Sequence, residues 1–188
     1  MTERPRGLVQ VYTGDGKGKT TAALGLALRA AGHGLRVCFI QFMKGNWDLG
    51  ERKAAARLGP ELEFHWFSAA RWGDPSKARE GTPWWQLPPS EEDRARAQEG
   101  TVFARRALSS GSYDLVVLDE IFQALQYQLL SLDQLMELVC AKPPAVELVL
   151  TGRGAPEEIM RAADLVTEMK AVKHPYGQGV SARPGIEY

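Results

Sequence analysis

The chain has 188 residues, a length that suits one domain, residues 1–188, with a sizeable core. Its 23 basic and 23 acidic residues balance, so no global charge advertises nucleic acid or an anionic membrane as a partner. No apolar run reaches transmembrane length, and residues 1–6 (MTERPR) form a polar leader without a signal-peptide core, so a soluble, cytoplasmic protein is expected. Cys38 and Cys140 lie in apolar runs and are read as small buried hydrophobes.

Residues 8–12 (LVQVY) are apolar and β-branched, which predicts a buried strand. Residues 13–20 (TGDGKGKT) hold three glycines and two lysines, and from Thr21 onward alanine and leucine predict a helix over 20–31. A strand feeding a glycine-rich turn that opens a helix makes an anion site. The first helical N–H groups lack partners, the helix dipole is positive there, and the glycines leave room for a phosphate chain. This is a Walker A loop with Thr13 where the consensus has glycine. Lys19 is placed to reach phosphate oxygens, and the Thr20 hydroxyl to ligate Mg²⁺. Being apolar on nearly every side, the helix is expected to pack on more than one face.

Residues 36–43 (RVCFIQFM) predict a parallel strand covered on both faces. The loop 44–50 (KGNWDLG) follows at the strand's carboxyl end, where ligands of open α/β sheets collect. A short helix over 51–58 and a strand over 62–67 come next. Residues 68–89 form an irregular stretch with Trp72, Trp84, Trp85 and four prolines. These aromatics make either a flat wall for a large ring ligand or a cover for the sheet edge or a dimer interface. Ser90 and Asp93 form a capping-box pattern that opens a helix to about Ser109. Residues 113–120 (YDLVVLDE) have the Walker B form, a buried strand delivering Asp119 and Glu120 to the phosphate edge. Helices are predicted over 121–130 and 131–141, a strand over 146–151, a short helix to Ala163 and a last parallel strand over 165–172. Arg153 falls just past a strand's carboxyl end, where it can bind phosphate, ribose or a carboxylate, or stay a plain surface arginine. The tail is expected to fold back over the ligand edge. Strands alternating with helices predict a mostly parallel sheet with helices on both faces, of the P-loop NTPase, RecA-like α/β class.

Four blocks resemble a family: residues 13–34 (TGDGKGKTTAALGLALRAAGHG), 37–51 (VCFIQFMKGNWDLGE), 113–121 (YDLVVLDEI) and 148–188. They cover well over half the chain and resemble the P-loop ATP:corrinoid adenosyltransferases, including the threonine at position 13. The resemblance implies transfer of the 5′-deoxyadenosyl group of ATP to the cobalt(I) of cob(I)alamin or another cob(I)yrinoid, with release of triphosphate. It also implies ATP lying reversed along the loop, a flavoprotein or reduced flavin as electron donor, and a homodimer.

The nucleotide-binding set is then Thr13, Gly14, Asp15, Gly16, Lys17, Gly18, Lys19, Thr20 and Thr21, with Asn46. Lys19, Glu120 and Arg153 are the catalytic candidates. Thr20 and Glu120 hold Mg²⁺, with Asp119 as second choice. The match fails between residues 68 and 89, where the family's FTWET-like motif is replaced by AARWGDPS. Trp72 is the nearest candidate for the corrin's lower face, with Phe67, Trp84 and Trp85 as alternates, and the loop is expected to be mobile without corrinoid. The alternative reading is a P-loop ATPase or kinase that cleaves the γ-phosphate and yields ADP.

Overall fold

The computed structural model describes residues 6–45, 49–72, 86–180 and 182–187. Asn46, Trp84 and Trp85, the leader up to residue 5 and the expected mobility of residues 73–85 lie outside the described residues. Among the described residues six strands form one sheet: β1 (Val9–Thr13), β2 (Val37–Phe42), β3 (Leu62–Phe67), β4 (Leu115–Asp119), β5 (Glu147–Thr151) and β6 (Leu165–Glu168). Every pairing is parallel, in the order β3-β2-β4-β5-β1-β6.

The helices are α1 (Lys19–Gly32), α2 (Gly50–Ala55), α3 (Glu91–Ser109), α4 (Ile121–Gln126), α5 (Leu132–Cys140) and α6 (Glu157–Ala162). The two-residue period of the strands sorts the core into two layers. Val37 and Phe39 pack with Ala23, Ala27 and Ala30 of α1 and with Ala55 of α2. Cys38, Ile40 and Phe42 point the other way, to a larger layer with Leu108, Phe122, Leu135 and Ile159 of α3 to α6. Both faces of the central strands are therefore covered, and the unbroken apolar sequence of β2 follows from that.

Several elements differ from their sequence expectation. Helix α1 packs on one face only. Its alanines at 23, 27 and 30 let it lie close to the sheet, while Leu28 on the far side is 54% exposed. The helix expected over 51–58 stops at Ala55, because its last turn tightens into i→i+3 bonds such as Arg57 N–H to the Ala54 carbonyl. Helix α4 ends at Gln126, because Gln128 adopts φ 55 and the Leu129 N–H returns to the Ala124 carbonyl. Strand β6 ends at Glu168, where its neighbour β1 also ends. Beyond that point the chain turns across the glycine-rich loop. Cys38 is buried as expected, but Cys140 is exposed, since α5 turns Leu135, Leu138 and Val139 inward and leaves position 140 on its outer side.

Candidate active site

Strand β1 delivers the chain to the carboxyl edge of the sheet at Thr13. A β-branched residue suits the end of a strand, and its hydroxyl accepts a hydrogen bond from Ala155 N–H at 3.1 Å. The residue that departs from the Walker consensus therefore ties the loop to the segment that follows β5. Gly14 and Gly18 hold φ values of 96° and 125°, which glycine adopts without a steric penalty. Gly18 is also the N-cap of α1. The Gly16 N–H donates to the Met169 carbonyl at 2.7 Å. A Cβ at Gly14 or Gly16 would come within 2.5 or 2.7 Å of that same carbonyl oxygen.

Lys19 is 7% exposed, and its ammonium bridges the loop by donating to the carbonyls of Gly14 (2.6 Å) and Gly16 (2.8 Å). Burial lowers its pKa, against the pull of Glu120 and with the push of Arg153. Lys17 projects outward to the Ile186 carbonyl (3.0 Å) and Glu187 (3.1 Å). The tail thus folds over the ligand edge as the sequence suggested. Asp15 and Thr21 are exposed at the same loop.

Strand β4 brings Asp119 to this loop with no exposed surface. Its Oδ1 accepts from the hydroxyls of Thr20 (2.9 Å) and Thr151 (2.7 Å). Its Oδ2 faces the ammonium of Lys44 at 3.2 Å and the Gln41 amide at 3.4 Å. Lys44 also lies 3.8 Å from Glu51. Burial works against the charge on Lys44, yet Asp119, Glu120 and Glu51 outweigh it and raise its pKa. Glu120 follows in the left-handed region at φ 59, with its N–H donating to the Thr151 hydroxyl at 3.0 Å. Burial and the neighbouring Asp119 raise its pKa, opposed by Lys44, Lys19 and Arg153. The Arg153 side chain is exposed, close enough for its charge to act on both Lys19 and Glu120.

So the structure assembles the loop, Thr20, both Walker B acids and Arg153 at one sheet edge. Of the two acids it is Asp119 that touches Thr20. Residues 5–188 match the family described as ATP:corrinoid adenosyltransferase BtuR/CobO/CobP. The chain belongs to that family. Similar relatives include the corrinoid adenosyltransferase of Escherichia coli K12, 38% identical over 97% of this chain and 86% of that protein. Corrinoid adenosyltransferase CobA of Salmonella typhimurium is 37% identical over all of this chain and 89% of its own. Among solved structures, the flagellar accessory protein FlaH of Methanocaldococcus jannaschii has a TM-score of 0.54 at 12% identity, covering 87% of this chain and 71% of that one. The RadB recombinase has a TM-score of 0.51 at 14% identity, covering 91% and 78%. At those identities the likeness shows the fold, a P-loop, RecA-like α/β sheet.

Trp72, the residue read for the corrin's lower face, sits in a closed setting. This ring is 2% exposed, and its indole N–H donates to Asp93 at 2.6 Å. Arg71 stacks on the ring at 4.6 Å and Tyr127 meets it edge-on at 4.9 Å. The indole is closed in on these sides by protein groups. Phe67 likewise packs against Phe103, at 5.4 Å between ring centres.

Sequence reasoning did not single out Gln41, Lys44, Arg52 or Thr151. A signal existed for two of them: Gln41 is a lone amide inside an apolar strand, and Thr151 is a hydroxyl at the end of another. Such polar residues, buried at a strand's carboxyl end, bond to a site group more often than to nothing.

Proposed function

We propose that this protein transfers the 5′-deoxyadenosyl group of ATP to the cobalt(I) of a corrinoid and releases triphosphate. The observation that carries this reading is the family match over residues 5–188, which includes the loop and carboxylate site described above. Cobalt(I) supplies the electron pair that forms the Co–C5′ bond. The C5′–O bond breaks, and its electron pair leaves with the triphosphate. Because the corrinoid substrate is itself the nucleophile, the chain needs no Ser–His pair or carboxylate base. Its work is positioning and charge stabilisation.

In this reading the N–H groups from Gly14 to Lys19 and the side chains of Lys17 and Lys19 stabilise the charge that builds on the leaving triphosphate, which takes the place of the Met169 carbonyl at the Gly16 N–H, of the tail at Lys17 and of the loop carbonyls at Lys19. The cradle of two positive-φ glycines and the inward Lys19 support that assignment. Thr13, Asp15 and Thr21 flank the phosphates, and Asn46 and Arg153 help fix the nucleotide. ATP lies reversed, its γ-phosphate where other P-loop proteins hold the α, so C5′ stays open to cobalt.

The Thr20 hydroxyl and the Asp119 and Glu120 carboxylates are hard oxygen donors that suit Mg²⁺. Mg²⁺ characteristically completes its shell with substrate phosphates and water beside one or two carboxylates. The ion would supply positive charge against the triphosphate. Glu120 and Asp119 orient it, directly or through water.

A flavoprotein or reduced flavin is the electron donor. A cytoplasmic homodimer completes the reading, and a second copy would give the exposed Leu28 and Leu35 a partner. No helix among the described residues is long and apolar enough to cross a membrane.

The test is anaerobic incubation of the protein with ATP, Mg²⁺ and chemically reduced cob(I)alamin. The corrin spectrum is followed and phosphate products are assayed. A light-sensitive adenosylated product with stoichiometric triphosphate is expected, reduced at least ~100-fold in Lys19→Ala. ADP and orthophosphate with an unchanged corrin spectrum would instead favour a γ-phosphate-cleaving enzyme.

A further inference from the structure

The residue that follows the bend after β2 is fixed in place from several sides. Met43 sits at φ 58, a conformation that costs a non-glycine residue free energy and persists only where the surroundings impose it. Arg52 donates to the carbonyls of Lys44 (2.8 Å) and Gly45 (3.1 Å), and the Gly45 N–H donates to the Trp72 carbonyl (3.0 Å). From this anchored backbone the Lys44 ammonium reaches 3.2 Å from Asp119 Oδ2, 3.3 Å from the Thr20 hydroxyl and 3.8 Å from Glu51. Two of those groups are ones to which the proposed function assigns Mg²⁺. An ammonium and a divalent cation at the same oxygens repel each other strongly in a poorly solvated site.

We propose that Lys44 is a resident cation of this site: it neutralises Asp119 in the nucleotide-free protein and yields that carboxylate only to a divalent cation already bound to triphosphate. The inference rests on the Mg²⁺ reading above. Two features exclude free metal. The charge of Asp119 is already matched by Lys44, which repels a bare divalent cation, and the phosphate oxygens of a bound nucleotide bring the added negative charge and hard donors that offset this repulsion. Metal and nucleotide therefore enter as one complex. The lysine also prevents an uncompensated buried carboxylate between turnovers.

Mn²⁺ is the probe. Protein-bound Mn²⁺ is counted by equilibrium dialysis and its environment read by electron paramagnetic resonance, with and without ATP and with no corrinoid present. Wild-type protein is expected to bind Mn²⁺ at this site only with ATP. Lys44→Met and Lys44→Gln are expected to bind Mn²⁺ without nucleotide at least roughly tenfold more tightly than wild type, since a unit charge a few ångströms away is removed. Adding Asp119→Asn should erase that gain.

Equal nucleotide-free affinities in wild type and both variants, with binding in all three once ATP is added, would overturn the proposal and leave the Mg²⁺ reading standing. A gain in Lys44→Met that Lys44→Gln does not share would overturn it too, because charge would not be the cause. Failure of every protein to bind Mn²⁺ even with ATP would sink the metal reading itself. The wild type alone also decides: nucleotide-free Mn²⁺ binding as tight as that with ATP overturns the resident-cation role whether or not the variants fold.

Discussion

Thr151 serves two partners with one hydroxyl. It donates to Asp119 and accepts from the Glu120 N–H, so a single side chain on β5 sets both the carboxylate and the turn that follows it. Thr151→Val keeps the shape and removes both bonds, leaving a buried carboxylate oxygen and a backbone N–H short of a partner. It is expected to lower stability by about 1–3 kcal/mol, measured by urea unfolding, with Thr151→Ser recovering most of the loss. The loop, Lys19, Thr20 and the Asp119–Glu120 pair were legible in the sequence because each lies in a short local pattern: strand, glycines, lysine, helix, or strand and acids. Thr151 was not, and Lys44 was legible only as part of the 44–50 loop, since their meaning comes from Asp119, 32 and 75 positions away, which the sheet brings alongside. The surroundings of Trp72 were not legible for the same reason: nothing next to it in sequence announces that Asp93, in another element, takes its N–H.

Two glycines inside helices show why element-scale propensity needs packing beside it. Helix α3 holds Gly100 against Phe42 and Phe67, where a Cβ would come within 2.7 and 2.9 Å of ring and Cβ atoms. Helix α1 holds Gly25 with nothing within 4 Å of the same construction. Alanine is the better helix former by about 1 kcal/mol at both positions. Gly25→Ala should therefore raise the melting temperature. Gly100→Ala should lower it, since overpacking costs roughly 1–3 kcal/mol and outweighs the propensity gain.

The start of α3 carries a second dependence. Asp93 closes a capping box with Ser90 and also binds Arg71 and the Trp72 indole, so one carboxylate holds both flanks of residues 73–89. Burial pushes its pKa up, but Arg71 and Ser90 outweigh burial and hold it below the usual aspartate range. A depressed folded value means that Asp93 stabilises the fold fully above an unfolded pKa of about 3.9 and loses that contribution as pH falls through the folded value. Asp93→Asn should be less stable at neutral pH and show a flatter acid limb in unfolding measured from pH 6 to pH 2. An unchanged slope would contradict the assignment.

At the scale of the molecule, the alternation of strands and helices was enough to give a parallel sheet covered on both faces, and the structure has it. The strand order was not legible, because it is set by long-range pairing that no window of sequence contains. Strand β1 lies between β5 and β6, and Val9 pairs with Leu148 while Leu8 bonds Glu147 across 139 residues of chain. Strands β2 and β3 pair close by, Val37 beside Leu62. Closing a short loop costs less entropy than closing a long one, so distant pairings form late. Pulse-labelled hydrogen exchange during refolding should protect amides of β2 and β3 before those of β1; protection of β1 first would refute this order.

During synthesis this order has a further cost. The strand that carries the nucleotide loop leaves the ribosome well before either of its neighbours exists, with Val9 and Val11 uncovered in the meantime. The nascent chain therefore cannot be steadied by ATP, however abundant, until those neighbours emerge, and in that interval the strand is open to pairing with another chain.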